Sequence, residues 1–272
     1  MPTGISPASA HNYCTNLVNF PAELLGSVAF NDEPIRLRIH GVKEMFPGLF
    51  EMLDQAETLV ESAEAFHSYM SAIFGLDTEQ RVKSDEPRRF RSDYLRLLRG
   101  WGCDSNSREG AVLKGWVESR FGLLPSFHHK ALGRYGSPEW MAYVEEKMSS
   151  RFHNNSIQVQ LDLLYEFCQW ALARFAAPGQ RHMTLHRGVH DFSEHAIIER
   201  IDRRTAVINL NNLNSFTADR DIAGEFGDII LTAEVPVVKI LFFPQLVSRH
   251  GLKGEAEYLV IGGDYRLICR YD

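Results

Sequence analysis

Two carboxylates two residues apart, Glu255 and Glu257, lead into the β-forming run Tyr258-Leu259-Val260-Ile261. Side chains on a strand alternate faces, so both acids point the same way, ~6–7 Å apart. Such a pair can be a solvated edge, or it can offer one acid to each of two reactants. Upstream, Arg187-Gly188 sits inside the strand-like stretch Thr184–Val189, with Arg187 on the face of Leu185 and Val189. A guanidinium cannot shed its proton, so it needs an anion: a structural carboxylate, or a phosphate gripped by two N–H groups. A glycine within a strand, as at Gly188, marks close approach by a ligand or by another backbone. Between these lies Asn214-Ser215-Phe216-Thr217, where Ser215 and Thr217 share a face. Hydroxyls there can be plain β-formers or can position a neighbour. Asp219 then caps a short helix that buries Ile222, Ala223 and Phe226.

Other chemistries lose their support. There is no G-x-G-x-x-G, no G-x-x-x-x-G-K-[ST], no H-E-x-x-H and no G-x-S-x-G. His182, His186 and His190, spaced by four, could bind a metal from a helix face. On a strand, which their surroundings favour, they would span ~27 Å. The adjacent pair His128-His129 needs further ligands that the sequence does not locate. No metal is expected.

The elements that must carry these residues fall into two portions. Helix dominates from about 50 to 175. Met52, Ala56, Leu59, Ala63, Phe66, Met70 and Ile73 recur at helical spacing, opposite the acidic stripe Asp54, Glu57, Glu61 and Glu64, which is a solvated face or a partner surface. Arg88, Arg89, Arg91, Arg96 and Arg99 cluster next, either as paired surface arginines or as a patch for an acidic partner. Trp101–Ser107 reads as turn chemistry before a helix over 109–120. Ser137-Pro138 starts another helix, and the stretch 156–175 makes the strongest, ended by Pro178-Gly179. After that the pattern turns to strands over 184–189, 206–210, 214–217, 229–235, 237–243, 257–261 and 265–270, with helix at 219–226 and 193–200. Two short strands or extended pieces, 26–30 and 35–39, precede the helices. The expectation is an α+β chain with a mainly helical portion, 1–178, and a β-rich portion, 179–272, sharing one core.

Composition limits the partners. The 272 residues carry a net charge of −6, with 44% hydrophobic and 24% charged residues. A broad nucleic-acid or membrane-surface contact does not fit that balance. No apolar run reaches the ~20 residues of a membrane span, and no secretory signal is visible. Cys14, Cys103, Cys168 and Cys269 are scattered without C-x-x-C spacing, as reduced thiols of a cytoplasmic protein would be.

In order, the chain has an Arg-Gly strand, a Ser-x-Thr strand followed by Ala-x-x-Phe, and a Glu-x-Glu strand. This resembles the arginine–serine–glutamate class of mono-ADP-ribosyltransferases over residues 183–271. The stretch His11–Phe20 and the helices after it are similar to the dinitrogenase reductase ADP-ribosyltransferases of nitrogen-fixing bacteria, over the whole length. The resemblance implies two packed, mostly antiparallel sheets and NAD as substrate. It implies dinitrogenase reductase, the nitrogenase iron protein, as the target that modification switches off, and a nitrogen-signalling PII protein as regulator. Arg187 would bind an NAD phosphate and brace its strand, and the Gly188 backbone would meet the nicotinamide amide. Ser215, supported by Thr217, would position the glutamate and the ribose. Phe226 would wall the nicotinamide side or simply pack in the core. Glu257 would be the catalytic acid and Glu255 would orient the target guanidinium, with the loop 244–254 meeting the target protein.

The residue types suit that chemistry. Breaking the nicotinamide–ribose bond develops positive charge on the sugar, which a fixed carboxylate stabilises. Arginine is a poor nucleophile while protonated, so a second acid can hold it and take its proton. The alternatives are an NAD glycohydrolase, in which water replaces arginine, and a non-enzymatic interaction protein on a degenerate transferase scaffold.

Overall fold

Side-chain caps punctuate the first two-thirds of the chain. The computed structural model describes residues 16–76, 92–192, 195–247 and 257–271. The helices are α1 (Ala22–Leu25), α2 (Val28–Asp32), α3 (Val42–Met45), α4 (Pro47–Asp54), α5 (Leu59–Phe74), α6 (Tyr94–Cys103), α7 (Arg108–Phe121), α8 (Pro138–Lys147) and α9 (Ile157–Ala171). A two-stranded ribbon, β1 (Phe127–His128) with β2 (Lys130–Ala131), separates α7 from α8. Thr58, Asp93, Ser107 and Ser137 each accept the N–H three residues on, satisfying donors that a helix start leaves open.

Two expectations fail here. Residues 26–30 are not extended: the Ser27 hydroxyl accepts the Phe30 N–H at 3.2 Å and starts α2. Residues 35–39 join no ladder, and the Ile39 N–H goes instead to the Glu166 carboxylate, 2.7 Å away. The apolar spacing from Met52 to Ile73 is also not one face. Thr58 restarts the helix, so Phe66 and Met70 are fully buried while Ile73 is 52% exposed.

The β-rich portion contains β3 (His182–Val189), β4 (Ala196–Arg200), β5 (Thr205–Thr217), α10 (Arg220–Gly224), β6 (Ile229–Pro236), β7 (Ile240–Phe242) and β8 (Glu257–Tyr271). Of the helix expected over 193–200, Ala196–Arg200 is instead the edge strand β4. The pieces 206–210 and 214–217 are one strand with an irregularity between Leu210 and Leu213, and 257–261 and 265–270 are likewise one. β8 passes through Gly262-Gly263, where Gly263 has φ 112° and a β-carbon on Gly262 would strike the Asn211 carbonyl.

Among the described residues every pairing is antiparallel, and β3 to β8 form one connected six-stranded sheet, where two packed sheets were expected. β5 and β8 are long enough for different stretches to have different neighbours. The start of β8 lies along β7 and the end of β5, while its end lies along β6. β6 pairs with β3, and His186 of β3 pairs with Thr217 of β5, which closes a circuit of β3, β6, β8 and β5.

The helices share their main core with the sheet. Leu49, Phe66, Leu97, Trp116 and Phe167 belong to the same buried apolar cluster as Leu185, Leu213, Leu231 and Val260. α9 lies against the sheet's β7 edge, where the Tyr165 hydroxyl donates to Val238 O (2.9 Å) and Gln169 Nε2 to Ile240 O (2.8 Å). No helix among the described residues is long and apolar enough to cross a membrane.

Candidate active site

The paired registers of β3, β5 and β8 bring the three sequence signals together. Thr217 sits opposite Glu257 and Ser215 opposite Leu259, so Ser215 and Glu257 are diagonal neighbours on one face. The Ser215 hydroxyl donates to Glu257 Oε1. On the other side, Arg187 Nη1 donates to the Ser215 carbonyl at 3.0 Å, tying β3 to β5 beyond their single paired position. All three line one cavity of about 560 Å³, a size usual for a small-molecule site.

The remaining candidates take definite places around it. Gly188 lines the cavity, and its missing side chain also admits a backbone: a β-carbon there would collide with the Ala223 carbonyl of α10. Thr217 lines the cavity, but its hydroxyl accepts the Asp219 N–H at 3.1 Å and so shapes the turn into α10. Phe226 lines the wall and is 46% exposed, so it is not a core residue. Glu255 lies outside the described residues, as do residues 248–254 of the expected target-facing loop.

The histidines divide. His186 and His190 line the cavity, whereas His182 Nε2 lies 2.6 Å from the Asn31 carbonyl elsewhere. His186 Nδ1 is 3.0 Å from the Thr232 hydroxyl, and burial, helped by Arg220, holds its pKa below the usual value. His128-His129 gains a neighbour that the sequence could not supply. Glu146 lies 3.0 Å from His128 Nε2 and 3.7 Å from His129 Nε2. Lys114 Nζ, however, stands 3.3 Å from His128 Nδ1. An ammonium has only protons to give, so Nδ1 accepts and Nε2 carries the proton toward Glu146. Burial lowers the His128 pKa and favours that neutral ring. The group is therefore a Lys–His–Glu hydrogen-bond chain, with no imidazole lone pair of His128 turned toward an ion.

Sequence reasoning missed the helical contribution. Trp101, Gly102 and Cys103 are the end of α6, not a turn, and all three line the cavity with Asp104 and Ser105. Trp101 Nε1 lies 2.9 Å from Ser215 Oγ and 3.0 Å from Glu257 Oε1. The basic cluster is described only at its end, where Arg96 pairs with Glu109 at 3.5 Å. Arg88, Arg89 and Arg91 lie outside the described residues.

A carboxylate held by a hydroxyl, beside a braced arginine, can stabilise positive charge on a bound sugar while a cation binds an anionic group nearby. The chain belongs to the dinitrogenase reductase ADP-ribosyltransferase family, whose model matches residues 15–269. It is 57% identical, over 97% of both chains, to the NAD(+)–dinitrogen-reductase ADP-D-ribosyltransferase of Rhodospirillum rubrum. No solved structure matches it.

Proposed function

We propose that this protein transfers ADP-ribose from NAD to an arginine of dinitrogenase reductase and thereby switches off nitrogen fixation. The observation that carries the reading is the convergence of Arg187, Ser215 and Glu257 on one cavity in a chain so similar to a transferase of that name. In this reading the β circuit is a mono-ADP-ribosyltransferase core. The helical portion, 1–178, serves target recognition and regulation in a cytoplasmic protein. A PII protein as regulator rests on the family alone.

Arg187 holds a phosphate of NAD and Gly188 offers its backbone to the nicotinamide amide. Phe226 walls the ring, while Ser215, with Thr217 behind it, sets Glu257 against the ribose. The bond from ribose C1′ to nicotinamide nitrogen breaks and its electron pair leaves with nicotinamide, which departs neutral. Glu257 stabilises the cationic sugar, a contribution on the order of 3–4 kcal/mol. Glu255 orients the incoming guanidinium and accepts its proton as the new C–N bond forms. No step calls for a metal.

Mass spectrometry of purified dinitrogenase reductase after incubation with NAD and this protein tests the reading. An ADP-ribose adduct on an arginine is expected. Free ADP-ribose with no protein adduct would make the enzyme a glycohydrolase instead.

A further inference from the structure

We propose that Trp101 is a positioning residue for this reaction, its indole N–H holding Ser215 and Glu257 in one arrangement from a helix outside the β circuit. The inference rests on the function proposed above. Trp101 is 3% exposed, and its one N–H lies within hydrogen-bond distance of both Ser215 Oγ, 2.9 Å, and Glu257 Oε1, 3.0 Å. Since the Ser215 hydroxyl also donates to Oε1, that oxygen faces two donors from two different elements. A carboxylate gripped in this way has its rotation restricted and its ionised form favoured.

The ring is itself fixed. Asp93 caps α6, and Tyr94, Leu97 and Leu98 bury its apolar face. Lys114 Nζ lies 5.8 Å from the Trp101 ring centroid, held by Asn106 Oδ1 at 3.2 Å and Phe127 O at 3.0 Å. The next residue is glycine, and a β-carbon there would come within 3.6 Å of Glu257 Oε2. The helix end thus lies close beside the acid. The N–H of Trp101, like the Ser215 hydroxyl, is a directional donor to the carboxylate. Among the described residues, the charged and titratable groups lining the same cavity besides Glu257 are Cys103 and Asp104 at the end of α6, His186 and Arg187 of β3, His190 and Asp191 beyond it, and His195.

Two replacements isolate the N–H. Trp101→Phe shortens the ring, and β-(3-benzothienyl)alanine at position 101 keeps the bicyclic shape with sulfur in place of N–H. For both, kcat should fall roughly 10- to 100-fold, as loss of a hydrogen bond to a charged group does. KM for NAD should stay within about twofold, and the acidic limb of the kcat/KM pH profile should move to higher pH. Glu257→Gln is run alongside. If Glu257→Gln transfers at the parental rate, the proposed function fails, and this inference with it. If Glu257→Gln is inactive but the benzothienyl variant keeps the parental kcat and acidic limb, Trp101 contributes only bulk and the inference is overturned. A benzothienyl variant with lower kcat and an unmoved limb would overturn it equally. Should Trp101→Phe fail to fold, the benzothienyl variant decides alone.

Discussion

At the scale of single residues, the proposed reaction gives Glu257 and Glu255 separate tasks, and the two can be told apart. Glu255→Gln should lower arginine transfer by about 10²-fold or more while slow NAD hydrolysis continues, because only the incoming guanidinium loses its acceptor. Assaying nicotinamide release and protein adduct in the same sample checks this, and an equal loss of both would contradict it. Arg187, Ser215 and Glu257 stood out as candidates because an Arg-Gly strand, a Ser-x-Thr strand and a Glu-x-Glu strand follow one another in that order, each signal being weak alone. Trp101 was not legible. It lies 156 positions from Glu257, in a stretch whose glycine, aspartate and serines read as a turn, with no local signal of its partner.

At the scale of elements, one close fit bears directly on the cavity, where α10 packs on β3. A β-carbon at Gly188 would drive into the Ala223 carbonyl, and backbone cannot swing aside as a long side chain can. Gly188→Ala should therefore cost about 1–3 kcal/mol of stability and raise KM for NAD, by pushing α10 and Phe226 outward. A urea titration with NAD kinetics would show it, and an unchanged midpoint and KM would refute it. Element boundaries set by caps were readable, as at Ser137-Pro138 and Pro178-Gly179, since a single side chain decides them. Residues 26–39 were misread because their apolar spacing suits a strand, whereas Ser27 and a remote carboxylate, Glu166, satisfy their backbone. β4 was misread as helix because its edge position lets Ile198 stand 59% exposed, which erases the alternation.

At the scale of the whole molecule, helices and strands share one large buried apolar cluster. The segment 179–272 alone would lose the helical side of its buried cluster, including Leu163, Leu164 and Phe167. It should show no cooperative urea transition, which circular dichroism would record. A second global effect comes from Lys239. It is fully buried between the rings of Phe30 and Tyr265, 5.4 and 5.0 Å from their centroids, and donates to Gly262 O. Burial pushes its pKa down from 10.5 to about 7, which the Asp264 charge only partly opposes. Between those two values the unfolded chain binds the proton and the folded chain does not. This residue's contribution to stability therefore rises with pH from about 7 to 10.5. Lys239→Met should remove that slope, and urea midpoints at neutral and alkaline pH would reveal it. The closing of β5, β8, β6 and β3 into a circuit was not legible, because strand composition gives no pairing partners across long loops.

The central claim is that Glu257, fixed by Ser215 within the Arg187 cavity, drives departure of nicotinamide. The most direct measurement is single-turnover ADP-ribosylation of dinitrogenase reductase by Glu257→Gln, with NAD affinity determined by calorimetry on the same sample. Transfer about 10²- to 10³-fold slower than the parent, with NAD affinity kept within a few-fold, is the expected result. Transfer at the parental rate by a variant that binds NAD normally would contradict it.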